Sequence, residues 1–349
     1  MKILIYSPYL GKHFGGGERY LLTIAQLLAE KHQVFLGVAT IDSHLRELYQ
    51  NFLGEKLREN IDFVVMPYGI KKLLWTRQFD LIYYATDGSF FFSRARKNIL
   101  HIQIPFTNKL NFWEKIKLST WRVKNANSEF TKKVVEKAWQ TKIEFVHYPT
   151  FVTSKKITQK SKIILHVGRF FKQLHSKRQD VLVDIFAKLN LKNWQLILIG
   201  SVEDAKYLAE IKNKIKQYKL EKNIKIFHNL SRKELENYYQ QASIYWHATG
   251  FGVDEGEYPA KMEHFGISTV EAMAAGAVPV VINKGGQKEI LLGELQDLLW
   301  ETEDECVSKT LALIKDKNKL ENYQKLAIKR AQDFSKEKFE QTLWEMIGK

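Results

Sequence analysis

The stretch EHFGISTVEAMAAG, residues 263–276, decides how the rest of the chain is read. Glu263 and Glu271 bracket a loop glycine, Gly266, and the following Val270, Ala272, Met273 and Ala274 suit a short packed helix. A helix start offers backbone amides to an anion, and carboxylates accept hydrogen bonds from hydroxyl groups. Those are the parts that a bound nucleotide sugar requires. Ser268 with Glu271 three residues on also reads as a capping box, in which hydroxyl and carboxylate satisfy the helix's first free amides. That reading accounts for Glu271. It leaves Glu263, beside His264 and Gly266, without a structural reason.

Outward from this stretch, strand-length apolar runs stand on both sides, SIYWHAT at 243–249 and AVPVVI at 277–282. The same alternation of apolar run and helix-period segment continues in both directions, the pattern of a mainly parallel sheet wrapped by helices. Upstream in the same series come IILHVGRF, WQLILIG and NIKIFHNL. An earlier series, KILIYS, QVFLGVAT, IDFVVMPY, DLIYYAT, NILHIQIP and KIEFVHYP, supplies six strands, enough for a complete doubly wound domain. Between its first two runs, Leu21, Leu22, Ala25 and Leu28 recur at helical spacing. The polar TSKKITQKSK, residues 153–162, has the composition of a linker. The expected domains are therefore 1–155, 156–333 and a C-terminal helix over 334–349, with Phe334, Phe339, Leu343 and Trp344 to bury. At 349 residues the chain exceeds the usual reach of one hydrophobic core.

One cysteine, Cys306, precludes an internal disulfide and favours a reducing compartment. MKILIYSPYL suits a first buried strand better than a secretory signal, and no segment has the roughly 18–20 apolar residues that span a bilayer. The expected location is cytoplasmic, soluble or peripheral on the inner face of a membrane. The net charge of +15 is uneven. Residues 94–142 hold twelve Lys/Arg and three Glu, whereas residues 1–93 hold ten basic and nine acidic residues. Phe106, Phe112, Trp113, Trp121, Phe130 and Trp139 lie among those lysines. Such a mixture seats a protein on an anionic membrane surface or follows a nucleic-acid backbone; alternatively it is a solvated helix face over an aromatic core. With no zinc-finger spacing or RNA-binding signature, no nucleic acid is expected as a partner.

Ligands of open α/β sheets bind beyond the carboxyl ends of the strands, so loops after strands are where further chemistry belongs. After the first strand, GKHFGGGERY places Gly15, Gly16 and Gly17 just before a helix, where the backbone can approach an anion closely. It lacks both the dinucleotide GxGxxG spacing and the Lys-Ser/Thr of a P-loop. In HVGRFFKQLHSKRQD, Arg169 ends a strand and Lys177 follows a short loop later, placed to neutralise a leaving diphosphate. Arg178 reads as a surface-loop residue. No Asp-x-Asp pair stands near a strand end to suggest a metal-bridged diphosphate, and no metal ligands are assigned. Asp254, Glu255 and Glu257 read as a solvated loop or an acceptor contact. His101 and His247 end or follow strands, and His166 sits inside an apolar run.

These residues resemble a retaining glycosyltransferase of family 4, marked by a Glu-x7-Glu motif and by the GT-B fold, two Rossmann-like doubly wound domains facing across a cleft. Glu263 and Glu271 fit the motif, GGGER the first loop, and VGRF with Lys177 the phosphate-binding pair. NANSEFTKK, around Asn127 and Ser128, and GGQKEIL, around Gly285 and Gly286, are similar to further family segments. GGGER together with EHFGI is similar to mannosyltransferases of lipid-linked glycan pathways. The resemblance implies that Glu271 binds ribose hydroxyls and Glu263 the donor sugar. It implies that the amides of Gly266, Ile267 and Ser268 meet the diphosphate, and that Gly16 and Gly17 close the site from the other domain. It further implies a last helix crossing back onto the first domain. Where many members carry a histidine after the fifth strand, HIQIPF aligns Gln103, with His101 two residues earlier as the alternative for that role.

The implied function is transfer of a hexosyl unit from a UDP- or GDP-sugar, a substrate and not a resident cofactor, to a hydroxyl of a glycan or lipid-linked acceptor. Another sugar-nucleotide enzyme of the same fold, such as an epimerase, and a non-catalytic sugar- or lipid-binding protein are the alternatives. A nicotinamide dehydrogenase is disfavoured because neither domain opens with its fingerprint.

Overall fold

The computed structural model describes residues 1–12, 15–153, 159–173 and 176–348. The chain forms two compact units, Met1–Thr150 with Glu337–Lys349, and Phe151–Lys336. The expected linker at 153–162 lies partly outside the described residues, as do His13 and Phe14 of the glycine loop and Leu174 and His175 ahead of Lys177.

In the first unit β1 (Lys2–Tyr6), α1 (Gly16–Leu28), β2 (Gln33–Val38), α2 (Leu45–Leu53), β3 (Ile61–Val65), α3 (Lys71–Trp75) and β4 (Leu81–Thr86) alternate along the chain. There follow β5 (Lys97–Ile102), α4 (Phe112–Ser119), β6 (Val123–Ala126), α5 (Glu129–Trp139) and β7 (Phe145–Val146). The strands form one sheet in the order β3-β2-β1-β4-β5-β6-β7, every neighbouring pair parallel.

The second unit runs β8 (Ser161–Val167), α6 (Gln179–Leu189), β9 (Gln195–Ile199), α7 (Ala205–Gln217), β10 (Ile224–Phe227), α8 (Arg232–Gln241) and β11 (Ala242–His247). It continues through α9 (Ile267–Ala274), β12 (Val278–Ile282), α10 (Gln287–Ile290), β13 (Leu299–Trp300), α11 (Glu303–Lys315) and α12 (Lys317–Ala331). Its strands make a parallel sheet in the order β10-β9-β8-β11-β12-β13. The last helix, α13 (Lys336–Gly348), belongs almost wholly to the first unit.

Parallel neighbours require crossover helices on the sheet faces, so central strands are buried on both sides. Every residue of β4, β11 and β12 is buried, which is why these strands read as mainly apolar runs. Helix starts follow short polar residues that cap the free amides, Asn111 before α4, Ser128 before α5, Asp204 before α7 and Ser231 before α8. Six strands are expected in the first unit and seven form, because β6, with the sequence VKNA, carries no apolar run. Its Asn125 is buried by hydrogen bonding instead of by hydrophobicity.

In both sheets the strand order reverses once, between β1 and β4 in the first unit and between β8 and β11 in the second. Such a reversal opens a crevice at the carboxyl ends of the two strands. The loops after β8 and β11 carry Arg169, Lys177 and Glu263, His247 ends β11 itself, and the three glycines stand where the loop after β1 enters α1.

Helix α13 buries Phe339, Leu343, Met346 and Ile347, and Lys97 donates to the Ile347 carbonyl at 2.5 Å. Phe334, grouped by sequence with this helix, packs instead in the second unit, 5.5 Å from the Phe265 ring, and its carbonyl receives the Val152 amide at 2.9 Å.

Candidate functional site

The second unit's switch point gathers charged side chains from separate loops. Lys177 Nζ lies 2.5 Å from Glu263 Oε2, and both side chains are mostly buried, 16% and 17% exposed. On the same oxygen, His247 Nε2 donates at 2.8 Å from the end of β11. Burial alone would raise the Glu263 carboxyl, but the Lys177 ammonium, and then the His247 hydrogen bond, hold it well below the usual carboxylate range. Glu263 is therefore an ionised, acceptor-only group at neutral pH. Burial lowers His247 against the pull of Glu263, and its Nδ1 is buried without a partner. Beneath it His166, lowered to about 3 by burial, donates Nδ1–H to the Trp246 carbonyl at 2.9 Å.

Eight residues after Glu263, Glu271 sits in α9 and pairs with Arg232 from the start of α8 at 2.7 Å. The expected capping box does not form. Gly266 is the N-cap, at φ +122°, and no side chain caps the helix. The helix thus begins ahead of Ser268, whose hydroxyl accepts from Tyr245 at 2.7 Å, while the Glu271 carboxylate turns to Arg232. A side chain at Gly266 is doubly refused, by the positive φ and by Gln287 Nε2, which a Cβ would meet at 2.3 Å. Thr269 and Val270 return their amides to the Gly266 carbonyl at 3.0 and 3.2 Å. Ahead of them the amides of Ile267 and Ser268 have no acceptor among the described residues, the uncapped donors that favour an anion.

Around this centre the loops are tied down. Gly286 donates to the Glu263 carbonyl at 2.8 Å, and Glu255 accepts from the Gly285 amide at 2.8 Å and from Lys288 at 2.6 Å. Glu255 is thereby a fastening, not a solvated acid. Arg178, read as a surface-loop residue, is partly buried; it donates to the Phe251 carbonyl at 2.5 Å and pairs with Asp180 at 3.1 Å. Its loop packs because the guanidinium spans two elements. Arg169 is looser, 40% exposed, 3.3 Å from Glu203 and stacked 5.5 Å from the Phe171 ring. No group of three or more His, Cys, Asp or Glu that could hold a metal ion occurs among the described residues.

The first unit's switch point is built mostly from neutral groups, with Glu18 as an acid at the glycine turn. Gly16 opens α1, and a Cβ on Gly17 would stand 2.3 Å from Gln103 Oε1, so the glycine turn and Gln103 are in close packing. Glu18 pins the turn by accepting from the Gly11 amide at 2.8 Å and from Tyr49 at 2.7 Å. His101 is turned into the core and is wholly buried. Its Nδ1 faces Asn125 Oδ1 and lies 3.3 Å from the Tyr20 hydroxyl, and burial lowers it to about 3. The alternative that gave His101 the role at the reacting centre thus meets a closed environment, whereas Gln103 stands at the glycine turn. Tyr20 also bonds Tyr83 at 2.6 Å and His147 at 2.5 Å, and His147 donates Nε2–H to Phe339 of α13 at 3.0 Å.

Residues 149–330, just over half of the chain, match the family model described as glycosyl transferases group 1. The chain belongs to the glycosyl transferases group 1 family. Among similar sequences of this transferase is the GDP-Man:Man(3)GlcNAc(2)-PP-Dol alpha-1,2-mannosyltransferase of Mus musculus, 29% identical over 43% of this chain and 30% of the mouse protein. Its Homo sapiens counterpart is 27% identical over 56% of this chain and 40% of the human protein. The chain thus spans well under half the length of the curated relatives it matches. Solved structures resemble it end to end. HepE of Anabaena, in complex with UDP and glucose, gives a TM-score of 0.70 at 17% identity over 100% of this chain and 99% of its own. A glycosyltransferase of Rickettsia africae gives 0.72 at 16% identity over 99% and 97%. The transferase therefore has the GT-B fold. No helix among its described residues is long and apolar enough to cross a membrane.

Sequence reasoning left His247 as one uncertain histidine and did not single out Arg232. His247 could have been found from its place, the last residue of a buried strand at the reversal, but no local signal marks Arg232. It reads as an ordinary first-turn residue of a capped helix until α9 is brought beside it.

Proposed function

We propose that this glycosyltransferase moves a hexosyl unit, of mannose or glucose type, from a UDP- or GDP-sugar to a hydroxyl of a glycan or lipid-linked acceptor with retention of configuration. The observation that carries this reading is the pair Glu263 and Glu271, each matched to its own cation, flanking the uncapped amides of Ile267 and Ser268. The activity after which the mouse and human relatives are named, a GDP-Man-dependent transfer to a PP-Dol-linked glycan, and the UDP and glucose bound to HepE support the donor class.

In this reading Glu271 accepts from ribose hydroxyls and Glu263 from hydroxyls of the donor sugar. Lys177 and Arg169 neutralise the diphosphate, and Gly266, Ile267 and Ser268 present the helix start to it. Gly16 and Gly17, at the start of α1, belong to the same reading as further donor-binding residues. The bond from the anomeric carbon to the diphosphate oxygen breaks on the face where the acceptor oxygen attacks. The departing phosphate oxygen takes the acceptor proton, and a nucleoside diphosphate leaves. An ionised Glu263 suits this chemistry because it holds the sugar without having to donate or remove a proton. The protein's contribution is orientation and charge stabilisation.

The test is to incubate the purified chain with a panel of UDP- and GDP-sugars and simple glycoside acceptors. Expected are acceptor-stimulated release of the nucleoside diphosphate and an α-anomer by NMR. Donor interconversion that needs no acceptor would place the chain among epimerases instead, and absence of release with every donor would overturn the transferase reading.

A further inference from the structure

The aromatic residues of the basic segment divide sharply in the folded chain. Trp121 and Trp139 are buried in the first unit's core with Leu110 and Leu118, and Phe106 packs against them, so half of the segment's six Phe and Trp residues serve packing. Phe112 and Trp113, in contrast, are 71% and 66% exposed on the first turn of α4. Tyr68 and Ile70, just ahead of α3, are 79% and 83% exposed.

Topology brings these two exposed pairs to one rim. All strands of this sheet are parallel, so the segments after β3 and β5 leave from the same edge. Trp75 of α3 and Leu118 of α4 pack on the same core cluster, which contains Leu4, Ile82, Tyr84, Leu100 and Ile102. Both helices therefore start at one edge and on one face. Strands β3 and β5 are four strand spacings apart in the sheet order, so the exposed pairs are separated by roughly 20 Å.

The two segments that carry the exposed pairs hold basic residues and no acid, and Asp42, on the same edge after β2, is paired with His44 at 3.2 Å. No acid occurs from Phe63 to Phe79 or from Lys97 to Trp113, and Lys71, Arg77, Lys109 and Lys115 are exposed. The nearest acids are engaged: Glu114 accepts from the Asn111 amide at 2.8 Å in the α4 cap, and Asp87 accepts from Ser89 at 2.6 Å. Large apolar side chains interleaved with exposed lysines, with the local carboxylates tied up, match the interface of an anionic bilayer.

We infer that this rim of the first unit, with Phe112 and Trp113 as a wedge and Tyr68 and Ile70 as a second anchor, docks on an anionic lipid surface. The lysines supply attraction and the aromatic pair supplies depth. The inference stands independently of which sugar is transferred.

The experiment is co-sedimentation of the full chain with vesicles of phosphatidylcholine alone and of phosphatidylcholine mixed with phosphatidylglycerol. Expected is binding to the mixed vesicles that weakens with added salt, and an affinity lowered about tenfold both in Phe112→Ser/Trp113→Ser and in Lys109→Glu/Lys115→Glu. Both variants should keep the thermal transition of the parent and acceptor-stimulated nucleotide release with a water-soluble acceptor. Equal sedimentation with neutral vesicles, or unchanged binding in either variant, would overturn the inference. So would a parent dimer that becomes a monomer in the Phe112/Trp113 variant, since the rim would then be an interface between copies. Loss of soluble transfer in the unmutated chain would count against the proposed function and not against the docking surface.

Discussion

The two units share a parallel, order-reversing sheet yet furnish its switch point with opposite chemistry. In the second unit the carboxyl ends of β8 and β11 meet opposite charges in pairs, Lys177 with Glu263 and, nearby, Arg232 with Glu271. In the first unit the corresponding place holds Tyr20, Tyr83, His101, Asn125 and Gln103, all neutral, joined by hydrogen bonds and close contact. One scaffold thus serves two tasks. In the proposed function the ionic side exchanges an internal partner for a charged ligand, because Lys177 already sits beside an anion, Glu263, whose place a diphosphate can take. The first unit's side orders its helix through neutral groups and uses the buried Glu18 carboxylate to pin the glycine turn.

The comparison breaks most readily at Glu263. Glu263→Ala should lower transfer about 10²- to 10³-fold while nucleotide binding largely survives, and should cost about 3–5 kcal/mol by leaving Lys177 buried without its partner. Steady-state kinetics with thermal unfolding checks both, and normal turnover would defeat the assignment. Glu271→Ala should act differently, raising the donor KM about 10- to 100-fold with a smaller change in kcat; Arg232→Ala, which only frees Glu271, should move KM less. A change confined to kcat would remove Glu271 from donor binding.

On the neutral side, Gly17→Ala forces Gln103 aside and should lower transfer about tenfold while leaving nucleotide affinity within about twofold, as titration calorimetry would show. Weakened nucleotide binding by this variant would mean that the division between the units is misdrawn.

The last prediction vanishes at neutral pH and grows only in acid. His101 and His166 are lowered to about 3 and His147 to about 4, chiefly by burial. Below their ordinary value of 6.5 the unfolded chain binds protons that the folded chain refuses, so stability falls as pH drops from about 6.5 toward 4. Each buried neutral histidine contributes about 1.4 kcal/mol per pH unit in that window. His247 is lowered by burial as well, so each unit holds two such rings, and the urea transitions of both units should shift to lower denaturant between pH 6.5 and 5.5. A pH-independent transition would show that these rings become protonated without unfolding.

Most of the architecture was legible in the chain. Strands such as β4 and β12 are buried on both faces and are mainly apolar for that reason, so they announce themselves. Strand β6 does not, because Asn125 is held there by hydrogen bonds, and β7 and β13 are two residues each, too short to show a pattern. The Glu263/Glu271 spacing and the nearby glycine were likewise visible, since a helix start and its flanking acids are contiguous in sequence.

By itself, then, the sequence determined the β/α alternation, the two sheets, the acids flanking α9 and the basic character of residues 94–142. Only the tertiary structure decided which partner each group has. It turned Ser268 from a cap into a partner of Tyr245 and brought Lys177 across 86 residues to Glu263. It joined Arg232 to Glu271 and sent Trp121 inward while leaving Trp113 outside. The physical reason is that burial and charge pairing depend on which faces and strand ends meet, and a parallel sheet brings together loops that local spacing keeps far apart.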